Sequence, residues 1–270
     1  MAFLQGLLKA LDAEMETPLP YGWFHLLWFG ISIAAAVVLC MLYKKGKLTD
    51  VRRVVFITSV IVAVLEIYKQ INFNVSYENG ISFDYGWWAF PWQFCSTPMY
   101  VGLLAGLTRG KLHRACSAYL ATFSVFAGVC VMFYPTSVFV ETIGINIQTM
   151  VCHGSMITLG IYLLYTGHVK AEQRTVLRAL PVFAVAVAMA MGLNWLAHNT
   201  ALMGDSLINA FYICSQCSPH LPVYSLIQPL LPFPVCVAIY VGAFTLASWL
   251  ILLICMGIRK LALARSKAVA

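Results

Sequence analysis

The sequence predicts an all-α, polytopic membrane protein, folded as one bundle of seven transmembrane helices. Of its 270 residues, 61% are hydrophobic and 10% are charged, whereas soluble domains carry roughly 25% charged residues. Seven apolar stretches approach the roughly 20 residues that a spanning helix needs. The positive charges collect in alternate links between these stretches, which is typical of membrane topology.

The predicted spans leave no stretch long enough for a separate soluble domain, so residues 1–270 are predicted to form one membrane domain. Apolar residues at helical spacing near the start predict an interfacial segment over residues 1–20. Residues 197–234 form the longest link, an outer loop or lid. The predicted spans are 23–43, 54–73, 88–107, 115–134, 149–165, 177–196 and 235–258.

The charge pattern predicts the orientation of the bundle. All 17 Lys and Arg residues except Lys9 and Lys69 follow spans one, three and five or lie in the tail. The positive-inside rule therefore predicts the N-terminus outside and the C-terminus inside. Because these charges lie in short links and not on one soluble face, no nucleic-acid partner is predicted.

This topology places the polar side chains of several spans at one depth. Cys95 is predicted about 10 Å below the outer edge, at 1.5 Å per residue, and His153 lies about one turn deep. Pro98 is expected to kink span three just below Cys95. Polar residues inside a membrane are functional candidates, and we expect a shared outer-leaflet cavity. The other members are Glu66, Lys69, Asn194 and His198, with His25 at the outer start of span one.

A thiol and an imidazole placed together are the minimal parts of a nucleophilic catalyst, which makes Cys95 and His153 the central candidates. Each residue also has a purely structural interpretation. A cysteine in an apolar helix usually behaves as a small hydrophobe, and a buried histidine is more often hydrogen-bonded structure. Glu66 and Lys69 form a structural ion pair in the alternative interpretation.

The outer loop carries a Cys-x-x-Cys sequence followed by a histidine. Cys214, Cys217 and His220 make a poor zinc site by themselves, because structural zinc is bound by four ligands. A disulfide and two free thiols both remain open for this pair, and no metal is predicted. The apolar residues 226–234 are expected to dip back toward the bundle.

Motifs spread over most of the chain resemble the YwaF-type integral membrane protein family, which is related to the animal transmembrane acyltransferase of ether phospholipids. In chain order, the matching positions are His25, Glu66, Cys95 in Phe90-Pro91-Trp92-Gln93-Phe94-Cys95, His153 in Cys152-His153-Gly154, and Asn194 in Asn194-Trp195-Leu196-Ala197-His198-Asn199. The family's Thr-Asn-Tyr run is not reproduced, since Asn199-Thr200-Ala201 stands in its place. The resemblance implies that Cys95 is the nucleophile and His153 its partner.

The resulting hypothesis is a lipid acyltransferase or esterase with an acyl-thioester intermediate and no cofactor. Its substrates would be membrane phospholipids or lysophospholipids, and the compact loops favour a bacterial cytoplasmic membrane. Seven further residues receive roles. Glu66 orients His153, Asn194 donates to the oxyanion, Lys69 and His25 hold a headgroup phosphate, Trp92 lines the acyl groove, and His198 and Asn199 bind substrate.

Two alternative interpretations use the same polar side chains at this depth of the membrane. In one, the protein is a non-catalytic small-molecule carrier or sensor whose polar pocket is built on Glu66 and Lys69. In the other, His25, His153, His198 and Glu66 bind a metal ion.

Overall fold

The structure is a computed structural model that describes residues 2–77, 80–135, 138–203, 208–217, 221 and 224–269. Helices dominate this part of the chain. They are α1 (Ala2–Leu11), α2 (Trp23–Lys44), α3 (Val51–Asn74), α4 (Thr97–Leu107), α5 (Gly110–Leu120), α6 (Phe123–Phe133), α7 (Ile143–Tyr165), α8 (Arg174–Asn199), α9 (Tyr224–Ile227) and α10 (Phe233–Val269). A small antiparallel hairpin follows α3, in which β1 (Val75–Ser76) pairs with β2 (Ser82–Phe83).

The helical membrane bundle is confirmed, with six segments in the described chain long and apolar enough to cross a bilayer. They are Trp23–Lys44, Val51–Asn74, Gly110–Phe133, Ile143–Tyr165, Arg174–Asn199 and Phe233–Ile258. The stretch 88–107 differs from the prediction, because only its second half is helical. Helix α4 has 11 residues, or about 16 Å at 1.5 Å per residue, and is too short to span alone. The orientation of the termini stays a prediction.

The chain before α4 has a physical reason not to be helical. A 3₁₀ turn at Trp87–Ala89 ends at Phe90, and Pro91 follows it without an N–H to give. Pro98 lies in the first turn of α4, where a helix needs no donor from it. The predicted kink at Pro98 is therefore wrong, since this proline begins a helix and does not bend one.

Helix α7 lies at the centre of the bundle, packed against α2, α3 and α6. Small residues allow the close approach. A side chain at Gly154 would meet Ser32 on α2, and one at Gly128 on α6 would meet the carbonyl of His153. Helices of membrane bundles commonly approach through such small residues. The position of His153 thus depends on glycine at 128.

The outer link after α8 enters the bundle, and it does so first through residues that precede the expected stretch 226–234. Ile208, Phe211 and Ile213 are buried, and the ring of Phe211 packs near Phe94, with ring centroids 5.9 Å apart. Within 226–234, Ile227 packs against the core, whereas Leu226 is 69% exposed. Residues 204–207, 218–220 and 222–223 of this link lie outside the described part.

Segment 1–20 begins with the expected helix α1, whose apolar face is exposed, with Phe3 at 85%. Asp12 joins this segment to the bundle, because its carboxylate accepts hydrogen bonds from Asn72 at 2.9 Å and Tyr77 at 2.9 Å. The hydroxyl of Tyr68 on α3 also donates to the carbonyl of Leu11, at 2.7 Å. The segment is therefore fixed to the end of α3.

Replacing Gly128 by alanine tests the close packing of α6 on α7. The added Cβ would lie 2.7 Å from the His153 carbonyl oxygen and 3.0 Å from Met156 Cβ, so we expect a loss of about 1–3 kcal/mol in stability from overpacking. Thermal unfolding in detergent measures it. Gly30→Ala is the control, because no described atom of another segment lies within 4 Å of its Cβ. Equal unfolding temperatures would contradict the tight contact.

Candidate functional site

Cys95 occupies the turn that leads into α4. Cys95 directly precedes Ser96, the N-cap residue of that helix, and the Ser96 hydroxyl lies beside the thiol. The N–H groups of Ser96 and Thr97 both donate to the carbonyl of Gln93, at 2.9 and 3.2 Å, which closes the turn. A helix N-terminus carries partial positive charge, which offsets only part of the penalty that burial places on a thiolate at this position.

His153 lies on α7 and is buried. Its Nδ1 is 2.7 Å from the carbonyl oxygen of Thr149, one turn earlier. A carbonyl only accepts, so Nδ1 carries the proton and Nε2 carries the lone pair. Nε2 is buried without a hydrogen-bond partner among the described residues. The ring therefore presents an unprotonated nitrogen, the form that a general base requires.

A contact between neighbouring residues brings these two elements together. Cys152, which directly precedes His153, has its Sγ 3.9 Å from the carbonyl oxygen of Cys95. In the described structure, the Cys95 thiol and His153 Nε2 are not hydrogen-bonded to each other.

Glu66 is a buried carboxylate with three side-chain partners. Its carboxylate pairs with Lys69 Nζ at 2.8 Å and accepts from Gln70 at 2.9 Å and Gln148 of α7 at 3.2 Å. Gln70 also donates to the carbonyl of Ala89, at 2.8 Å. Glu66 thus joins α3, α7 and the segment before α4, whereas the bond that orients the His153 ring comes from Thr149.

Trp92 lines an apolar groove of about 480 Å³ between α8 and the segment that leads into α4. Its indole N–H donates to the carbonyl of Ala186 on α8, at 3.2 Å, and its ring packs against Tyr100, with centroids 5.2 Å apart. The lining residues are Phe90, Trp92, Tyr100, Met189, Gly192, Leu193 and Leu196. Such a groove suits a flexible hydrocarbon chain.

Asn194 fastens the outer link to α8. Its side-chain amide donates to the carbonyl of Ala210 at 3.0 Å, and its side-chain oxygen accepts from the Ala210 N–H at 2.7 Å. The Gln93 side chain holds the neighbouring residues in the same way. Its amide N–H donates to the carbonyl of Asn209 at 2.9 Å, and its oxygen accepts from the N–H of Phe211 at 2.8 Å. Both ends of the Asn194 amide group are used by the backbone, which makes it a clamp in this conformation.

The remaining predicted residues form their hydrogen bonds with other parts of the bundle. His25 accepts from the N–H of Tyr21 at Nδ1, so its Nε2 donates to the carbonyl of Met132; both distances are 3.0 Å. Asn199 is exposed and bonds to Trp195 of its own helix. His198 approaches the outer link, with Nε2 2.9 Å from the carbonyl of Ile208. The structure therefore does not gather His25, His153, His198 and Glu66 into one metal site.

Sequence reasoning missed Gln70, Gln93, Gln148 and Thr149 as members of this site. Glutamine in an apolar segment was the available signal, since a buried amide requires hydrogen-bond partners. The carbonyl of Thr149 carries no such signal, because any residue at that position supplies one.

Asn194→Ala should release the outer link. Two backbone hydrogen bonds to Ala210 are lost, at about 0.5–1.5 kcal/mol each. We expect faster hydrogen exchange at residues 208–214, measured by mass spectrometry. Asn199→Ala is the matched control, because its amide bonds only within α8. Unchanged exchange in Asn194→Ala would show that the clamp does not hold the link.

Comparison with known proteins provides a family for this chain. Searches of curated proteins and of solved structures each find no match. Residues 20–253 match the TMEM164 family, and this range includes Cys95, His153, Glu66 and the outer link. The match covers most of the 270 residues, and the chain belongs to the TMEM164 family.

Proposed function

We propose that this protein is a membrane-embedded lipid acyltransferase or esterase that uses a dyad of Cys95 and His153. The observation that carries the proposal is the buried, unpartnered Nε2 of His153, on the residue that follows the Cys95 contact. A buried lone pair without a partner is costly to keep. The proposal accounts for that cost by giving the nitrogen a proton to accept.

In the first step, the Cys95 thiol turns toward His153, and its proton passes to Nε2. The thiolate attacks the ester carbonyl carbon of a phospholipid, forming the C–S bond. The intermediate collapses by breaking the bond to the ester oxygen, and His153 returns its proton to that oxygen. A lysophospholipid leaves, and the acyl chain remains on Cys95 as a thioester.

In the second step, the hydroxyl of another lysophospholipid, or water, enters in place of the first product. His153 takes its proton while the oxygen attacks the thioester carbonyl. The C–S bond then breaks, and the proton passes from Nε2 to the Cys95 sulfur. The released product is a phospholipid or a fatty acid, and the dyad is restored.

Several neighbouring groups support lipid as the substrate. The groove at Trp92 has the apolar lining that an acyl chain requires. The Lys69 ammonium provides a positive charge for a headgroup phosphate. Glu66 holds this ammonium in place through an ion pair of 2.8 Å. We assign Asn194 a positioning role through the outer link. The short links favour a bacterial cytoplasmic membrane, with the site in its outer leaflet.

Substitutions of the dyad test the reaction. Cys95→Ala should reduce acyl transfer to background. His153→Ala should reduce it by about 10²–10⁴, the range for loss of a general base. The assay follows labelled acyl chains from phospholipid to lysophospholipid in liposomes. Cys130→Ala is the control, because this thiol is exposed on α6.

The acyl-enzyme gives a second readout of the same proposal. With labelled phospholipid and no acceptor, parent protein should gain one acyl group at residue 95 that hydroxylamine removes, and Cys95→Ala should gain none. Binding of lipid without any acylation, together with full activity of both variants, would favour the carrier or sensor.

A larger side chain at Gly192 tests the groove. No described atom of another segment lies within 4 Å of a Cβ at this position, so the Gly192→Phe side chain should be accommodated by filling part of the groove. Each CH₂ group displaced costs about 0.8 kcal/mol, and we expect about a tenfold loss of preference for long acyl chains over short ones. Gly242→Phe on α10 is the control. An unchanged chain-length profile would place the acyl chain elsewhere.

A further inference from the structure

Three potential metal ligands meet where the outer link returns to the end of α8. They are the side chains of His198, Cys214 and Cys217, whose ligand atoms all lie within 4.8 Å of one another. Cys217 Sγ is 3.2 Å from His198 Nε2, and both cysteines are free thiols. His220, the other histidine of this link, lies outside the described residues and is not part of the cluster.

The ligand types select among metal ions. Thiolate and imidazole are the ligands that zinc takes in proteins, at about 2.3 Å for sulfur and 2.0–2.1 Å for nitrogen. Tetrahedral coordination at these metal–ligand distances puts neighbouring ligand atoms about 3.5–3.8 Å apart. The ligand atoms of this cluster lie within 4.8 Å of one another, so they are close enough for zinc with small side-chain shifts. Calcium and magnesium prefer oxygen ligands, which these side chains do not offer.

The backbone around the cluster is already held in place. The Cys214 N–H donates to the side-chain oxygen of Asn209 at 3.1 Å, and Gln228 donates to the Cys214 carbonyl at 3.0 Å. Cys214 is buried. Such outer contacts orient metal ligands and raise the affinity of a site.

We propose that His198, Cys214 and Cys217 bind a zinc ion. Binding releases one proton from each thiol, and the sulfurs coordinate as thiolates. His198 Nε2, now 2.9 Å from the carbonyl of Ile208, gives up that contact. Its proton moves to Nδ1, and Nε2 coordinates zinc as part of a neutral imidazole. The fourth position holds water, as in sites with three protein ligands.

This zinc ion has a structural consequence. It joins the outer link to the last turn of α8, one turn beyond the Asn194 clamp at Ala210. The link that covers the bundle would then be fixed at two successive turns of the same helix. The cluster shares no residue with the dyad of Cys95 and His153, so its test does not depend on the proposed reaction.

Metal analysis of the purified full-length protein tests the proposal. We expect about one zinc per chain after growth with zinc, and near zero in His198→Ala and in Cys217→Ser. Cys130→Ser should retain zinc, because that thiol lies on α6. Zinc content unchanged in both variants would overturn the assignment.

Thiol labelling keeps the test decisive where a variant fails to fold. In parent protein stripped with a chelator, added Zn²⁺ should slow alkylation of Cys214 and Cys217 about tenfold or more, and Mg²⁺ should not. The rate at Cys130 should not change. A Cys214–Cys217 disulfide in freshly purified protein, or equal alkylation with and without Zn²⁺, would overturn the proposal.

Discussion

A buried carboxylate is the constraint on which the rest of this structure depends. Glu66 lies inside a predicted membrane bundle, where an unpaired charge costs several kcal/mol. Lys69, Gln70 and Gln148 bring donors to it from two helices. Moving any of these donors away would leave the negative charge of Glu66 less well paired. This cost holds α3, α7 and the segment before α4 in one relative position. That position places Cys95 near α7.

The second constraint is the non-helical chain around Cys95. Irregular backbone at membrane depth is tolerated only where protein buries it and satisfies its polar groups. Gln70 donates a hydrogen bond to the carbonyl of Ala89. Gln93 and Asn194 donate hydrogen bonds to backbone carbonyls of the outer link. These amides therefore have the same task, which is to allow chain without helical hydrogen bonds to lie inside the bundle.

Much of the fold and part of the site could be predicted from the sequence. Hydropathy located six of the spans, because a bilayer requires long apolar helices. Topology placed Glu66, Lys69, Cys95 and His153 at one depth, and the structure joins the first two directly. Their proposed chemistry is a prediction still. The failure at 88–107 has a local cause. The hydropathy window averaged apolar residues over a stretch in which Pro91, having no N–H, interrupts the helix.

The sequence by itself determined that the chain is a helical membrane protein, because composition and apolar length decide which segments enter a bilayer. Only the tertiary structure decided which polar atoms meet. Asn194 and His198 are one turn apart on α8, yet one clamps Ala210 and the other faces Cys217. The difference arises from the path of the outer link, which is set by packing between residues distant in the sequence and therefore has no signature in local spacing.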